Sequence, residues 1–262
     1  MSEFVQRPAR ITSSGAWFVI CFLVLPILVV FPVSLTDRSY LSLPENGLSL
    51  QYFINFFTSR AWLSSFGQSF VIATGAAAIA TTAGTLCAIG CWRLGSRASE
   101  FLRLAMLLPM MVPTIVYVLG LYRLWSDLRL LSTYTGVIIA HAVTGMPYVV
   151  IIVSAALSNF DLRLDQAARG LGATISQSLR LVLLPNIMPA VASGAIFAFI
   201  HSWDELLIVL FIAGRAILTL PRRIWDGIQE ALDPTMAAVA VLLVLLTIIL
   251  LGLDLTLRKR QI

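Results

Sequence analysis

Residues 161–185 read DLRLDQAARGLGATISQSLRLVLLP, the one long polar interruption in a chain that otherwise reads as membrane. Ser158, Asn159 and Asp161 offer side-chain oxygens for a helix start, and Leu162, Leu164, Ala167, Ala168 and Leu171 then recur at helical spacing. A first short helix is predicted there. Asp165 and Arg169 stand four apart with the acid on the N-terminal side, the favourable order for a helix pair, while Gly170 and Gly172 provide places to stop. Thr174 to Gln177 has the order of a capping box, in which the threonine hydroxyl and the glutamine amide satisfy two free amides at a second helix start. Pro185 is expected to halt that helix or kink it into the next span. The unit is helix, glycine corner, helix. A connection that only joined two spans needs about four residues, so two capped helices point to something docking there.

Composition sets the surroundings. With 59% apolar and only 12% charged residues over 262 positions, the chain reads as an all-α polytopic membrane protein with no sizeable soluble domain. Apolar runs predict six spans, at about 17–33, 70–92, 104–125, 134–157, 189–213 and 236–255. They form one transmembrane domain, 1–262, carrying the 161–185 loop. The first run has no clear small-residue cleavage site after it and is read as a retained signal anchor. Tyr52, Phe53, Phe56 and Phe57 suit a boundary between water and lipid. The second span is dense in Ala, Gly and Thr, which lets neighbouring helices approach closely. Pro109 and Pro113 should bend the third.

Six spans put both termini on one side, and basic residues decide which. Arg7, Arg10, Arg93, Arg97, Arg103, Arg163, Arg169, Arg180, Arg258, Lys259 and Arg260 outnumber Arg38, Arg60, Arg123, Arg129, Arg215, Arg222 and Arg223 on the other side. The larger set is cytoplasmic by the positive-inside rule, which places residues 161–185 where ATP is. The net charge of +5 therefore reflects topology, and no patch supports nucleic-acid binding. Lys259, in a basic tail, is the only lysine, so the chain has no phosphate-binding loop of the GxxxxGK[ST] type. Any ATP must then be hydrolysed by a partner, which argues against a self-contained pump.

In the fifth span, His201-Ser202-Trp203-Asp204-Glu205 lies near the middle of the apolar run. Adjacent carboxylates at that depth are costly unless they face a wet cavity or a partner. Two readings stand. Trp203, Asp204 and Glu205 line a solute path suited to a cation, the indole adding cation–π attraction; or the acids are structural, paired to Arg123 or to another subunit. Asp226 and Glu230, on a short helix expected at 221–233, read as a solvated acidic face. Cys21, Cys87 and Cys91 read as packing residues, with neither a disulfide nor a metal site expected. His141 and His201 suggest a hydrogen bond between helices. Ser193 lacks a nucleophile turn, so a hydrolase pair with His201 has no support.

The loop also carries a resemblance. Gln166-Ala167-Ala168, three residues, Gly172, nine residues and Val182-Leu183-Leu184-Pro185 resemble the "EAA" loop of the permease subunits of ABC importers. Gln166 stands for the family glutamate and Val182 for isoleucine, and the first change removes a charge. The resemblance implies the type I importer permease fold. It also implies that Asp165, Gln166, Ala167, Ala168, Arg169, Gly170, Gly172, Ala173 and Thr174 dock into an ATPase cleft. The partners implied are a second permease subunit, two copies of an ATP-binding subunit that hold ATP and magnesium, an extracytoplasmic solute-binding protein and membrane lipid. The bacterial inner membrane follows as location, with no cofactor in this chain. The stretches GVIIAHAVTGMPYVVIIVSAAL, HSWDELLIVLFIAG, TLPRRIW and DPTMAAVAVLL are similar to the second permease of spermidine and putrescine importers. A polyamine, or another small cationic organic compound, is the solute this implies. The reading set against it is an ion-coupled secondary carrier or channel using the span-five carboxylates, but no repeat matches between the two halves.

Overall fold

The computed structural model describes residues 10–230 and 232–259. In chain order the helices are α1 (Arg10–Ser34), α2 (Gln51–Thr58), α3 (Arg60–Leu94), α4 (Arg97–Met111), α5 (Thr114–Asp127), α6 (Tyr134–Ser158), α7 (Leu162–Gly170), α8 (Ile175–Ser178), α9 (Leu184–Asp204), α10 (Leu207–Ile212), α11 (Leu220–Glu230) and α12 (Thr235–Lys259), with no strand among the described residues. Five stretches are long and apolar enough to cross a membrane: Ser13–Ser34, Arg60–Leu94, Tyr134–Ser158, Ile175–Asp204 and Thr235–Thr256. A sixth is made if α4 and α5 form one broken span, bent by 106°. Arg7 and Arg260, counted in the charge asymmetry, lie outside the described residues.

Proline chemistry explains the bend at 112–113. Val112 is extended (φ −86°, ψ 128°), the conformation forced on a residue before proline, and Pro113 starts α5. Pro109, by contrast, sits inside α4 without breaking it. The apolar run expected to cross at 189–213 is also broken, between α9 and α10: Glu205 is extended (φ −74°, ψ 122°). Its carboxylate accepts the amides of Leu207 at 2.9 Å and Ile208 at 3.4 Å. Upstream, Pro185 neither halts nor sharply kinks the chain. Leu179–Leu183 widens into a π-turn that runs straight into α9, and the Asn186 side-chain amide donates to the Val182 carbonyl at 2.7 Å.

The chain divides into two compact units. One holds Ser64–Trp225 and the described residues from Leu246 onward. Its core has two parts: Ile72, Val118, Val137, Ile208 and Ile212 join α3, α5, α6 and α10, while Ala80, Ala88, Val149, Val153 and Ile187 join α3, α6 and α9. Small residues set the helix spacing. A Cβ at Gly84 would lie 2.9 Å from Val149 Cβ, and one at Gly194 would lie 3.3 Å from Val149 Cα. The other unit holds the described residues up to Leu63 together with Asp226–Leu245. In it, Asp37 accepts the Glu45 amide at 3.0 Å and the Asn46 side-chain amide at 2.8 Å, and Arg38 pairs with Glu45. Asn55 reaches Thr235 at 2.8 Å, beside Asp233, which caps α12.

Two outcomes follow. Gly84→Leu should lower stability by about 1–3 kcal/mol through overpacking against Val149, whereas Gly90→Ala, whose Cβ meets nothing within 4 Å, should be near neutral; thermal unfolding in detergent reads both. The Glu45 amide, then the Asn46 side chain, hold the Asp37 carboxyl below its usual 3.8. A group depressed in this way supports the 37–46 turn at neutral pH, and that support is lost as pH falls below the ordinary carboxylate range. Asp37→Asn should therefore speed amide exchange at residues 45–46 at pH 7 while changing it little in acid.

Candidate functional site

The corner of the 161–185 loop is built by backbone hydrogen bonds. Asp161 caps α7, its carboxylate accepting the Arg163 amide at 2.9 Å. At the other end the Ala173 amide donates to the Ala168 carbonyl at 3.1 Å and the Gly172 amide to the Arg169 carbonyl at 3.0 Å. This is a Schellman ending, which needs a left-handed residue, and Gly172 supplies it with φ +91°. The spacing from Ala168 to Gly172 is therefore the spacing of a helix stop. Thr174 and Gln177 form the reciprocal capping box of α8, with bonds of 2.8 and 3.3 Å.

The expected Asp165–Arg169 pair is not made. Asp165 turns inward, where its Oδ1 accepts Arg93 Nη2 at 3.1 Å and the Ser178 hydroxyl. Arg169 stays exposed, as do Gln166, Ala167, Gly170, Gly172 and Thr174, while Ala168 and Ala173 are half-buried. The helical repeat of leucines faces outward: Leu162, Leu164 and Leu171 are exposed, and Leu171 at the corner is 91% exposed. An apolar tip of this kind needs a covering partner or lipid.

The second group gathers where α9 ends. A cavity of about 250 Å³ is lined by Tyr148, Phe197, Ile200, His201, Asp204 and Glu205. Glu205 is occupied in capping α10, whereas Asp204 is exposed to the cavity and makes no ion pair with Arg123. His201 stacks obliquely on Tyr148, ring centroids 5.0 Å apart, and its Nε2 has no hydrogen-bond partner. Trp203 is not part of this group. It is 3% exposed, stacked on Phe199 at 5.5 Å and edge-on to Phe66 at 5.6 Å. The two histidines do not bond each other; His141 Nδ1 meets Ser202 Oγ at 2.8 Å, tying α6 to α9. A separate groove of about 610 Å³ between α3, α9 and the end of α12 has no ionisable lining residue. Among the described residues no group of three metal-ligating side chains converges.

Residues 80–262 match the family described as binding-protein-dependent transport system inner membrane component. The chain belongs to this family. Among its curated relatives, the spermidine/putrescine transport system permease protein PotC of Haemophilus influenzae is 29% identical over 254 residues, covering 97% of this chain and 96% of that one. The putrescine transport system permease protein PotI of Escherichia coli is 28% identical, covering 91% and 86%. The trehalose transport system permease protein SugB of Mycobacterium tuberculosis is also 28% identical, covering 83% and 81%. In fold, the chain is similar to a bacterial alginate ABC transporter crystallised with an alginate pentasaccharide-bound periplasmic protein, with TM-score 0.71, 17% identity and coverage of 96% and 93%. A chain of the MetNI methionine ABC transporter gives TM-score 0.65 at 18% identity, covering 77% of this chain and 99% of that one.

Neither group sets a nucleophile beside a general base, and each presents a surface: an exposed apolar corner at Leu171, and a cavity lined by Asp204 and Glu205 in which Asp204 is exposed. From sequence, Leu171 reads only as part of a helical repeat and Arg93 only as a topology charge, and Tyr148 is not singled out. A tyrosine next to Pro147 inside an apolar span was the available hint for the last, since a phenol at that depth seeks a polar neighbour. The α6–α9 contact gives a stability test. Ser202→Ala should cost about 1 kcal/mol, and adding His141→Leu should cost less than the sum of the single changes, measured by unfolding in detergent.

Proposed function

We propose that this permease component forms half of a translocation path for a polyamine or another small cationic organic compound. One observation carries the reading: Asp204 stands exposed in the cavity at the end of α9 and makes no ion pair among the described residues, Arg123 included. The C-terminal dipole of α9 adds to its negative potential, so a cation gains from both. The aromatic contact is assigned to Tyr148, which lines the cavity, in place of Trp203. Polyamine permeases among the relatives support this solute class, while the trehalose permease at similar identity shows why the solute must be measured.

Energy enters from outside the chain in this reading. The exposed corner at Leu171, with Gln166, Ala167, Gly170 and Gly172, docks into an ATP-binding subunit on the cytoplasmic face. Both termini lie on that face. A second permease subunit, two ATP-binding subunits and an extracytoplasmic solute-binding protein complete the assembly, and ATP with magnesium is held by the ATP-binding subunits.

Three measurements test this. Asp204→Asn should reduce uptake at least about tenfold, as expected for removing a charge from a site of low polarity; full uptake ends the path assignment. Gly172→Val should uncouple ATP hydrolysis from transport with membrane insertion intact, because the strained residue is the corner itself and nothing lies within 4 Å to clash with. Binding of a panel of amines and sugars to the cognate binding protein identifies the solute. Uptake by the isolated chain driven by an ion gradient would overturn the importer reading in favour of a secondary carrier.

A further inference from the structure

α3 is fastened at both ends. At its C-terminal end, two successive residues grip the entry to the 161–185 loop. Trp92 meets Phe160 edge-on at 5.9 Å, and Arg93 meets Asp165 at 3.1 Å. The ion pair is largely shielded, with side-chain exposures of 22% and 13%, so water screens it less than a surface pair. The Ser178 hydroxyl shares the same Asp165 oxygen, so one carboxylate gathers α3, α7 and α8. The other charged residues of α7, Arg163 and Arg169, are exposed. Asp165 is thus the charged residue of α7 through which the loop holds the membrane helices.

Near its N-terminal end, α3 holds the first turn of α11 and the residues just before it. Gln68 accepts the Leu218 amide at 2.8 Å, Ser69 the Leu220 amide at 2.8 Å, and Ser65 the Arg223 Nε at 2.6 Å. From Ser69 to Arg93 the helix has no proline and spans about 36 Å at 1.5 Å per residue. A helix without a break cannot absorb a push at one end by kinking. Displacement of the loop that keeps Arg93 on Asp165 and α3 on Gln68, Ser69 and Ser65 therefore moves residues 218–223.

We propose that Arg93 is a positioning residue that passes movement of the 161–185 loop, through Asp165, into α3 and on to residues 218–223. This rests on the reading that the loop corner meets the ATPase.

The experiment uses the full complex in lipid vesicles, with Cys21, Cys87 and Cys91 replaced by alanine. Ala216→Cys, on an exposed residue beside the 218–223 stretch, reports the far end by its rate of maleimide labelling. A parallel Leu171→Cys reports docking by cross-linking to the ATPase. On adding ATP and vanadate, the labelling rate at position 216 should change at least about threefold with wild-type Arg93 and Asp165. Arg93→Gln and Asp165→Asn should each abolish that response while the Leu171 cross-link persists, and the exchanged pair Arg93→Asp with Asp165→Arg should restore it. Rescue by exchange separates positioning from a general loss of fold. A response unchanged in Arg93→Gln, a response absent from the parent, or an exchanged pair as silent as the single variants overturns the proposal. No Leu171 cross-link in the parent overturns the docking reading as well.

Discussion

A backbone amide or carbonyl stranded in hydrocarbon costs several kcal/mol, because no water is there to bond it. This constraint explains how the chain tolerates its interruptions. Where α9 gives way to α10, the Glu205 carboxylate takes the two amides that open. At the far end of α10, Arg222 donates to the carbonyls of Val209 and Gly214. In the first turn of α6, the Trp125 indole donates to the Gly136 carbonyl at 2.9 Å. At both ends of α10 a side chain long enough to reach the opened backbone closes it, so irregular backbone persists there without unfolding its surroundings.

The same economy of polar groups sorts the two acids of the fifth apolar run. Adjacent in sequence, they part in role, because the break between α9 and α10 turns one back onto the main chain and leaves the other facing open space. Glu205 is held by the amides it caps. Asp204 is exposed in the cavity, whose lining includes Tyr148 and His201. Around them, the tight approach of α6 and α9 through Gly194 and Val149, sealed by His141 and Ser202, keeps the cavity wall from sliding.

Local chemistry was legible in the sequence, and long-range geometry was not. The cap at Asp161, the corner at Gly172 and the box at Thr174 and Gln177 depend on residues a few positions apart, and each can be read from spacing. The break at Glu205 falls on the charged pair of the fifth apolar run, but nothing local marks that carboxylate as the cap of a following helix, so spacing alone does not reveal it. Asp165 was within reach of Arg169, a favourable local pair, but its partner lies 72 residues upstream; a shielded site with two donors outweighs an exposed pair with one. Trp203 was grouped with its neighbours in sequence, although successive residues of a helix point in different directions. Pro185 looked like a stop because the widening of the preceding turn was not foreseen.

Handedness has a consequence at the loop corner. Gly172 occupies a conformation natural to a mirror-image residue, and open space surrounds it. Nothing packed against the corner moulds its shape, which arises from the chirality of the chain and two hydrogen bonds. The tip therefore reaches any binding surface already formed, with little ordering left to be done on contact, and a D-alanine introduced there by chemical ligation would stiffen it without altering its outline.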